Sequence, residues 1–253
     1  MCGRYVAVHT PQQLAEEFGV DRVVVDAPVE PDYNVAPTKP VLGVMAREPR
    51  ERPGARQRQL RVLHWGLVPS WAKDPSIGSR LINARIETAA DKPSFRQAFA
   101  KRRCILPASG YYEWDKPPAR EKGGAARKQP YFIHRADGAP LAMAGLYELW
   151  RDPERTRDDP EAWHWTCVVL TTQATDEVGR IHDRAPLIVP AEGYDAWLAP
   201  EPGDADDLRA MLVPATLGMQ VDPVSTEVNN VRNNGPDLIR PVPGDHEEPR
   251  ELR

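Results

Sequence analysis

The chain has 253 residues, with 33 Lys and Arg against 37 Asp and Glu for a formal net charge of -4, and a hydrophobic share of 41%. That share excludes a chain disordered throughout, and the length suits one large domain or two small ones, long enough to bury a core. No run of about 18 apolar residues occurs, which argues against a membrane-spanning helix, and the 27 prolines, about twice the usual share, indicate many loops and strand ends.

The N-terminal Met-Cys-Gly-Arg-Tyr lacks a basic stretch followed by an apolar one, so no secretory signal is read and a cytoplasmic location is expected. Residues 4–8 read as a strand. Thr10-Pro11-Gln12-Gln13 then supplies an N-cap, a proline at the first helical position and a capping-box glutamine, for a helix through Leu14, Ala15 and Phe18 that stops at Gly19. Apolar or alternating runs at 41–46, 60–64, 103–106, 110–114, 130–134, 141–147 and 166–171, most bounded by Pro or Gly, read as strands. Helical patches fall near 93–101 and at 173–180, 191–198 and 204–212. This irregular mixture predicts an α+β fold with a mainly antiparallel sheet or barrel.

Three charged, proline-bearing inserts at 48–59, 115–129 and 151–162 read as solvated loops inside one domain. The second sets Arg120, Lys122, Arg127 and Lys128 against Asp115 and Glu121, a balance that suits solvent or contact with a polyanion. Residues 1–240 are expected to form the domain, and the polar tail at 241–253 to be flexible. Cys2, Cys104 and Cys167 lie far apart with no CxxC or Cys/His ligand spacing, so neither a disulfide framework nor a zinc site is expected, and no motif calls for a metal or cofactor.

Cys2 carries the most chemistry. Its small side chain permits removal of Met1, which leaves an α-amine and a thiol on adjacent carbons, titrating near ~8 and ~8.5. The amine can condense with an aldehyde to an imine, and the thiol can close on the same carbon as a five-membered thiazolidine. Four segments accompany it. Trp65 to Trp71 puts two indoles on a Gly/Pro-shaped loop, suited either to stacking on bases or to an aromatic core. Asn83 to Glu87 alternates so that a strand would send Asn83, Arg85 and Glu87 to one face. Gly110 to Trp114 embeds Glu113 among aromatics, where its pKa would rise toward the range of a general acid or base unless an Arg pairs with it. His182 follows a predicted helix and sits beside Arg184.

Together these segments resemble the SOS response-associated peptidase family, whose members sense abasic sites in single-stranded DNA. The resemblance also runs through Tyr33 to Thr38, Arg102 to Cys104, Ala144 to Glu148 and Val228 to Asn230, covers about residues 2–240, and keeps the order of all the motifs. Ala185 departs from it, standing where many members have Met. The resemblance implies a single compact domain with a twisted, barrel-like, mainly antiparallel sheet flanked by short helices. It makes Cys2 the nucleophile of a covalent thiazolidine crosslink that shields the lesion, with slow reversal and lyase-like activity. Asn83 would orient the Cys2 amine or the sugar hydroxyl, Glu113 would shuttle protons, and His182 would protonate the sugar ring oxygen. Arg4, Arg85 and Arg184 would grip phosphates, Trp65 and Trp71 would pack where bases unstack, and Thr171 is carried over with them. A monomer that associates with the nucleoid when bound to abasic single-stranded DNA is the expected state. Two other readings stand beside it: a thiol peptidase that uses Cys2, on itself or on other chains, and a non-covalent single-strand reader built on the tryptophans and arginines.

Overall fold

The computed structural model describes residues 2–48, 54–115, 128–216 and 218–243. In chain order its strands are β1 (Tyr5–Ala7), β2 (Arg22–Val24), β3 (Asp32–Val35), β4 (Pro40–Arg47), β5 (Gln57–Trp65), β6 (Asn83–Arg85) and β7 (Arg103–Ala108). They continue as β8 (Gly110–Trp114), β9 (Pro130–Arg135), β10 (Leu141–Arg151), β11 (Trp163–Gln173), β12 (Arg184–Ile188), β13 (Val213–Pro214) and β14 (Met219–Pro223). The helices are short: α1 (Pro11–Glu17), α2 (Ile86–Ala89), α3 (Arg96–Lys101), α4 (Asp176–Ile181), α5 (Tyr194–Leu198) and α6 (Ala205–Ala210).

Five strands close a ring in the order β4, β5, β11, β10, β7 and back to β4, antiparallel except where β11 runs parallel to β5. Val41 and Met45, Leu63 and Trp65, Cys104 and Leu106, Met143 and Tyr147, and Cys167 and Val169 share one buried cluster inside it. The alternate residues, among them Val44, Leu60, Ile105, Ala144, Leu146 and Val168, pack outward with Phe99, Trp197 and Leu208 of the surrounding helices. Both faces of β4, β7, β10 and the middle of β11 are therefore buried, which explains why they read as apolar runs, whereas β5 exposes Val62 and His64 on its outer face. A five-stranded ring is narrow, and it requires glycine at two inward positions. A Cβ on Gly43 would lie 2.5 Å from Leu63 Cδ1, and one on Gly145 would lie 2.9 Å from Leu106 Cδ1.

The second sheet, in the order β14, β9, β8, β1, β3, is antiparallel throughout and lays Tyr5, Tyr111 and Ile133 against the barrel core. The Tyr111 hydroxyl donates to the Ala215 carbonyl at 2.7 Å, so this buried phenol is satisfied. Its other face buries Val6, Tyr112 and Phe132 under Val224, Val228 and Leu238. Arg103 is buried and donates to the carbonyls of Phe99, Ala100, Trp197, Ala199 and Glu201, which lie in or just beyond α3 and α5. A guanidinium suits those sites because the carbonyls at helix C-termini lack intrahelical donors.

The α+β, barrel-like, mainly antiparallel fold is thus the observed one. The capping box of α1 forms as its sequence requires, with Gln13 N donating to Thr10 Oγ1 at 3.2 Å and Thr10 N to Gln13 Oε1 at 2.9 Å. Three expectations need correction. The first insert is shorter than read, because β5 already begins at Gln57. The strand expected to carry Asn83, Arg85 and Glu87 on one face ends at Arg85, where α2 begins, so Glu87 lies on a helix. The tail is pinned at its start, since Pro241 bridges Val224 and Val242 N donates to Pro223 O at 2.8 Å. Of the basic insert, Arg120, Glu121, Lys122 and Arg127 lie outside the described residues.

Candidate active site

Cys2 precedes β1 and is 0% exposed. In the β1–β8 pairing Tyr5 stands opposite Tyr111, and Tyr112 N donates to Arg4 O at 2.9 Å, so one further step of the register sets Glu113 beside Cys2 and Gly3. From the barrel side, β6 pairs parallel to β11 with Asn83 opposite Val169, and Asn83 Nδ2 donates to the Cys2 carbonyl at 2.7 Å. Asn83 Oδ1 is buried and accepts no hydrogen bond from any described residue. The nucleophile candidate thus sits where the second sheet meets one mouth of the barrel.

His182 caps the C-terminus of α4, its N–H donating to Val178 O at 2.9 Å. Its Nδ1 accepts the Arg184 backbone N–H at 3.0 Å, which leaves Nε2 to carry the proton of the neutral ring. Asp183 Oδ1 lies 3.1 Å from the same Nδ1.

Electrostatics tie these groups together. Burial pushes the Glu113 carboxyl up to about 7, with Asp183 adding to the rise and the chain's amino terminus opposing it. Burial first, then the Glu113 charge, pushes the Cys2 thiol well above its ordinary range, against the pull of the amino terminus and the Arg4 N–H. Cys2 is therefore a neutral thiol, beside a carboxyl that exchanges its proton near neutrality.

Thr171 and Arg184 lie at the same mouth. Arg184 Nη2 donates to Thr171 O at 2.6 Å and to Thr171 Oγ1 at 3.3 Å. Its guanidinium also forks onto Glu87, at 2.7 and 3.0 Å. Arg85, opposite Thr171 in the register, is exposed. Arg4 turns inward, donating through Nη1 to Asn34 Oδ1 at 2.6 Å and to Val228 O at 2.9 Å, with its Cζ 5.7 Å from the Trp114 ring. Trp114, whose indole N–H donates to Asn229 Oδ1 at 2.6 Å, lines a surface cavity of about 580 Å³ with Lys128, Thr226 and Asn229.

The two tryptophans part company. Trp65 is 0% exposed, packs on Tyr5 at 5.1 Å and donates to Ile82 O at 2.9 Å, so its place is the barrel core and not among unstacked bases. Trp71 is 59% exposed and forms one wall of a shallow pocket with Pro69, Pro93 and Arg96. Sequence reading missed Asp183 and the Glu87–Arg184 pair; the partners of the pair are 97 residues apart, and no periodicity links them. Among the described residues, no three His, Cys, Asp or Glu side chains gather as metal ligands, and no helix is long and apolar enough to cross a membrane.

A family model described as SOS response associated peptidase matches residues 1–231. The chain is 37% identical over 240 residues to the abasic site processing protein YoqW of Bacillus subtilis (strain 168), covering 94% of this chain and 99% of that one. It is 33% identical over 249 residues to the abasic site processing protein YedK of Escherichia coli (strain K12), covering 96% of this chain and 100% of that one. Among solved structures, a Bacteroides thetaiotaomicron protein shares the fold with a TM-score of 0.76 at 24% identity, covering 95% of this chain and 100% of that one. A Bordetella bronchiseptica protein does so with a TM-score of 0.67 at 26% identity, over 88% of this chain and 100% of that one.

Proposed function

The chain belongs to the SOS response-associated peptidase family, and we propose that it processes abasic sites in single-stranded DNA, trapping them covalently through Cys2 once Met1 has been removed. The observation that carries this reading is the setting of Cys2: its carbonyl is held by Asn83 at 2.7 Å while Glu113, with a carboxyl pushed up to about 7, lies alongside.

The chemistry follows from those positions. The ring-opened abasic sugar presents an aldehyde. The freed Cys2 amine attacks its carbon, and the carbinolamine loses water to give an imine. The thiol sulfur then adds to the same carbon, its proton passing to the imine nitrogen, and the thiazolidine closes. One water leaves overall and no oxidant is needed. Glu113 is suited to take the ammonium proton and return it to the departing hydroxyl, because its two protonation states are balanced near neutral pH. His182, with Nε2 as donor, serves the sugar ring oxygen during opening, and the reverse steps use the same groups. Arg85 and Arg184 supply charge for phosphates, while Thr171 and Glu87 fix the direction of the Arg184 fork; Arg4, turned inward onto Asn34 and Val228, does not.

A thiol peptidase would need Cys2 as a thiolate, and burial opposes that form. The global charge of -4 fits modest non-covalent affinity, so that capture rests on the covalent step.

The test mixes mass-verified protein lacking Met1 with a single strand bearing one abasic site. An SDS-resistant, heat-stable band that needs both Cys2 and the lesion is expected, with Cys2→Ala and an intact strand as controls. No band from the processed protein overturns the covalent reading. Lesion-selective binding that persists in Cys2→Ala without any adduct would assign a non-covalent reader instead.

A further inference from the structure

The barrel has a second mouth, at the opposite ends of the strands that carry the Cys2 site. Along β11 it lies six residues from Thr171, at Trp165, about 20 Å away at ~3.3 Å per residue. Arg47 ends β4 two residues after Met45, Arg61 precedes Leu63 by two on β5, and Trp165 precedes Cys167 by two on β11. All three therefore continue the inward-facing rows of the barrel.

The Cζ atoms of Arg47 and Arg61 lie 4.9 and 4.6 Å from the centroid of the Trp165 ring, both within reach of cation–π attraction. Tyr147 stacks on the same indole at 5.9 Å and 20°. Arg61 Nε is steadied by Gln59 Oε1 at 2.9 Å, and Arg22 on β2 stands opposite Gln59 in the register, adding a third positive charge within electrostatic reach.

Among the described residues these cations have no ion-pair partner. Burial, then the charges of Arg47 and Arg22, lowers the pKa of Arg61, with Tyr147 and Asp26 opposing. Among the described residues no carboxylate lies within 4.0 Å of Arg22, Arg47 or Arg61, whereas Arg58 pairs with Asp195, Arg102 with Glu148 and Arg184 with Glu87. Two mutually repelling guanidiniums are held half-buried on one indole, with no carboxylate among the described residues to pair with them, an arrangement that phosphate oxygens would satisfy. The indole is already covered by Tyr147 and the guanidiniums, so the cluster is built to hold charge and not to stack a base.

We propose that Arg47 and Arg61, steadied by Trp165, form a second nucleic-acid contact that takes backbone phosphates of the single strand where it continues beyond the Cys2 mouth. This rests on the single-stranded DNA reading above and commits to strand phosphates. Free phosphate offers the same oxygens and is tested separately.

The experiment measures binding of the full chain to intact single strands of about 6 and about 30 nucleotides, one near the short end of the ~4–16 nucleotides that one single-strand-binding fold covers and one well beyond its long end. The double variant Arg47→Gln/Arg61→Gln is expected to bind the long strand about 3- to 10-fold more weakly, with the log–log salt slope smaller by about 1.4, or ~0.7 for each single-strand phosphate that is no longer neutralised. The short strand should be bound as before. Arg22→Gln, a substitution on an exposed side chain, should give a smaller loss in the same direction and guards against misfolding of the double variant. Unchanged affinity at both lengths, or equal losses at both, overturns the proposal. So does inorganic phosphate that raises the melting temperature of the wild type but not of the double variant while long-strand affinity stays unchanged, since the mouth would then serve a small anion. A length-dependent loss alongside a wild type that forms no crosslink with a short abasic strand would sink the covalent reading alone and leave the second contact standing.

Discussion

Asn83 Nδ2 lies 2.7 Å from the carbonyl oxygen of Cys2, so a side chain on β6, the strand that pairs with β11 beside the barrel, fixes the backbone of Cys2. Replacing Asn83 with Ala leaves that carbonyl unpaired and its residue free to shift. The loss of one such bond corresponds to ~1 kcal/mol, or roughly 5- to 10-fold in rate. The crosslinking rate should fall by about that factor, measured as adduct formed against time. An unchanged rate would mean that Asn83 does not orient Cys2.

Glu113 gives a pH signature with a definite sign. Its folded pKa of about 7 lies above the ordinary 4.5, so the fold favours the protonated carboxyl. The resulting stabilisation is full below about pH 4.5 and is lost as pH rises through about 7, amounting to about 3 kcal/mol. Glu113→Gln stays neutral and escapes the loss. Between pH 5 and 8 the wild-type melting temperature should therefore fall by about 5–10 °C relative to the variant. The crosslinking rate should show an inflection near pH 7 in the wild type that disappears in Glu113→Gln.

Arg184 is neutralised in the DNA-free protein by its fork onto Glu87. Glu87→Gln removes that competitor for phosphate. Its affinity for single strands should rise and its salt slope should steepen by up to ~0.7, whereas Arg184→Ala should shift both in the opposite direction. Fluorescence anisotropy across a salt series separates these outcomes, and an effect of the same sign in both variants would remove Arg184 from the phosphate contacts.

The two tryptophans should fail differently. Trp65→Ala opens a cavity in the barrel core and should cost ~3–5 kcal/mol, read as a large drop in melting temperature. Trp71→Ala should change stability by less than about 0.5 kcal/mol. If a base stacks on Trp71, its removal weakens strand binding by ~1–3 kcal/mol, and an unaltered affinity would dismiss that role.

Most barrel strands were legible because burial on both faces leaves apolar runs, and α1 because its capping box is written in four consecutive residues. β2, β3, β12, β13 and β14 were not, being two to five residues long and, in β12 to β14, interrupted by proline. Pro186 offers β12 no N–H, but its carbonyl accepts from Ala215 N at 2.9 Å. Within the site, the raised carboxyl of Glu113 was readable from its aromatic neighbours. The inward turn of Arg4 was not, since its partners Asn34 and Val228 lie 30 and 224 residues away. Trp65 was ambiguous because an indole suits a base stack and a core equally well, and only the closure of the ring decides between them.

Full burial of Cys2 also governs how long the protein keeps its reactivity. Peroxides and disulfides attack thiolates, and their first products, sulfenic acids and mixed disulfides, would block ring closure. A thiol held neutral and away from solvent reacts slowly with such oxidants, as do the equally buried Cys104 and Cys167. Under the proposed covalent function, such a thiol would wait in reduced form through the oxidative conditions that themselves damage DNA.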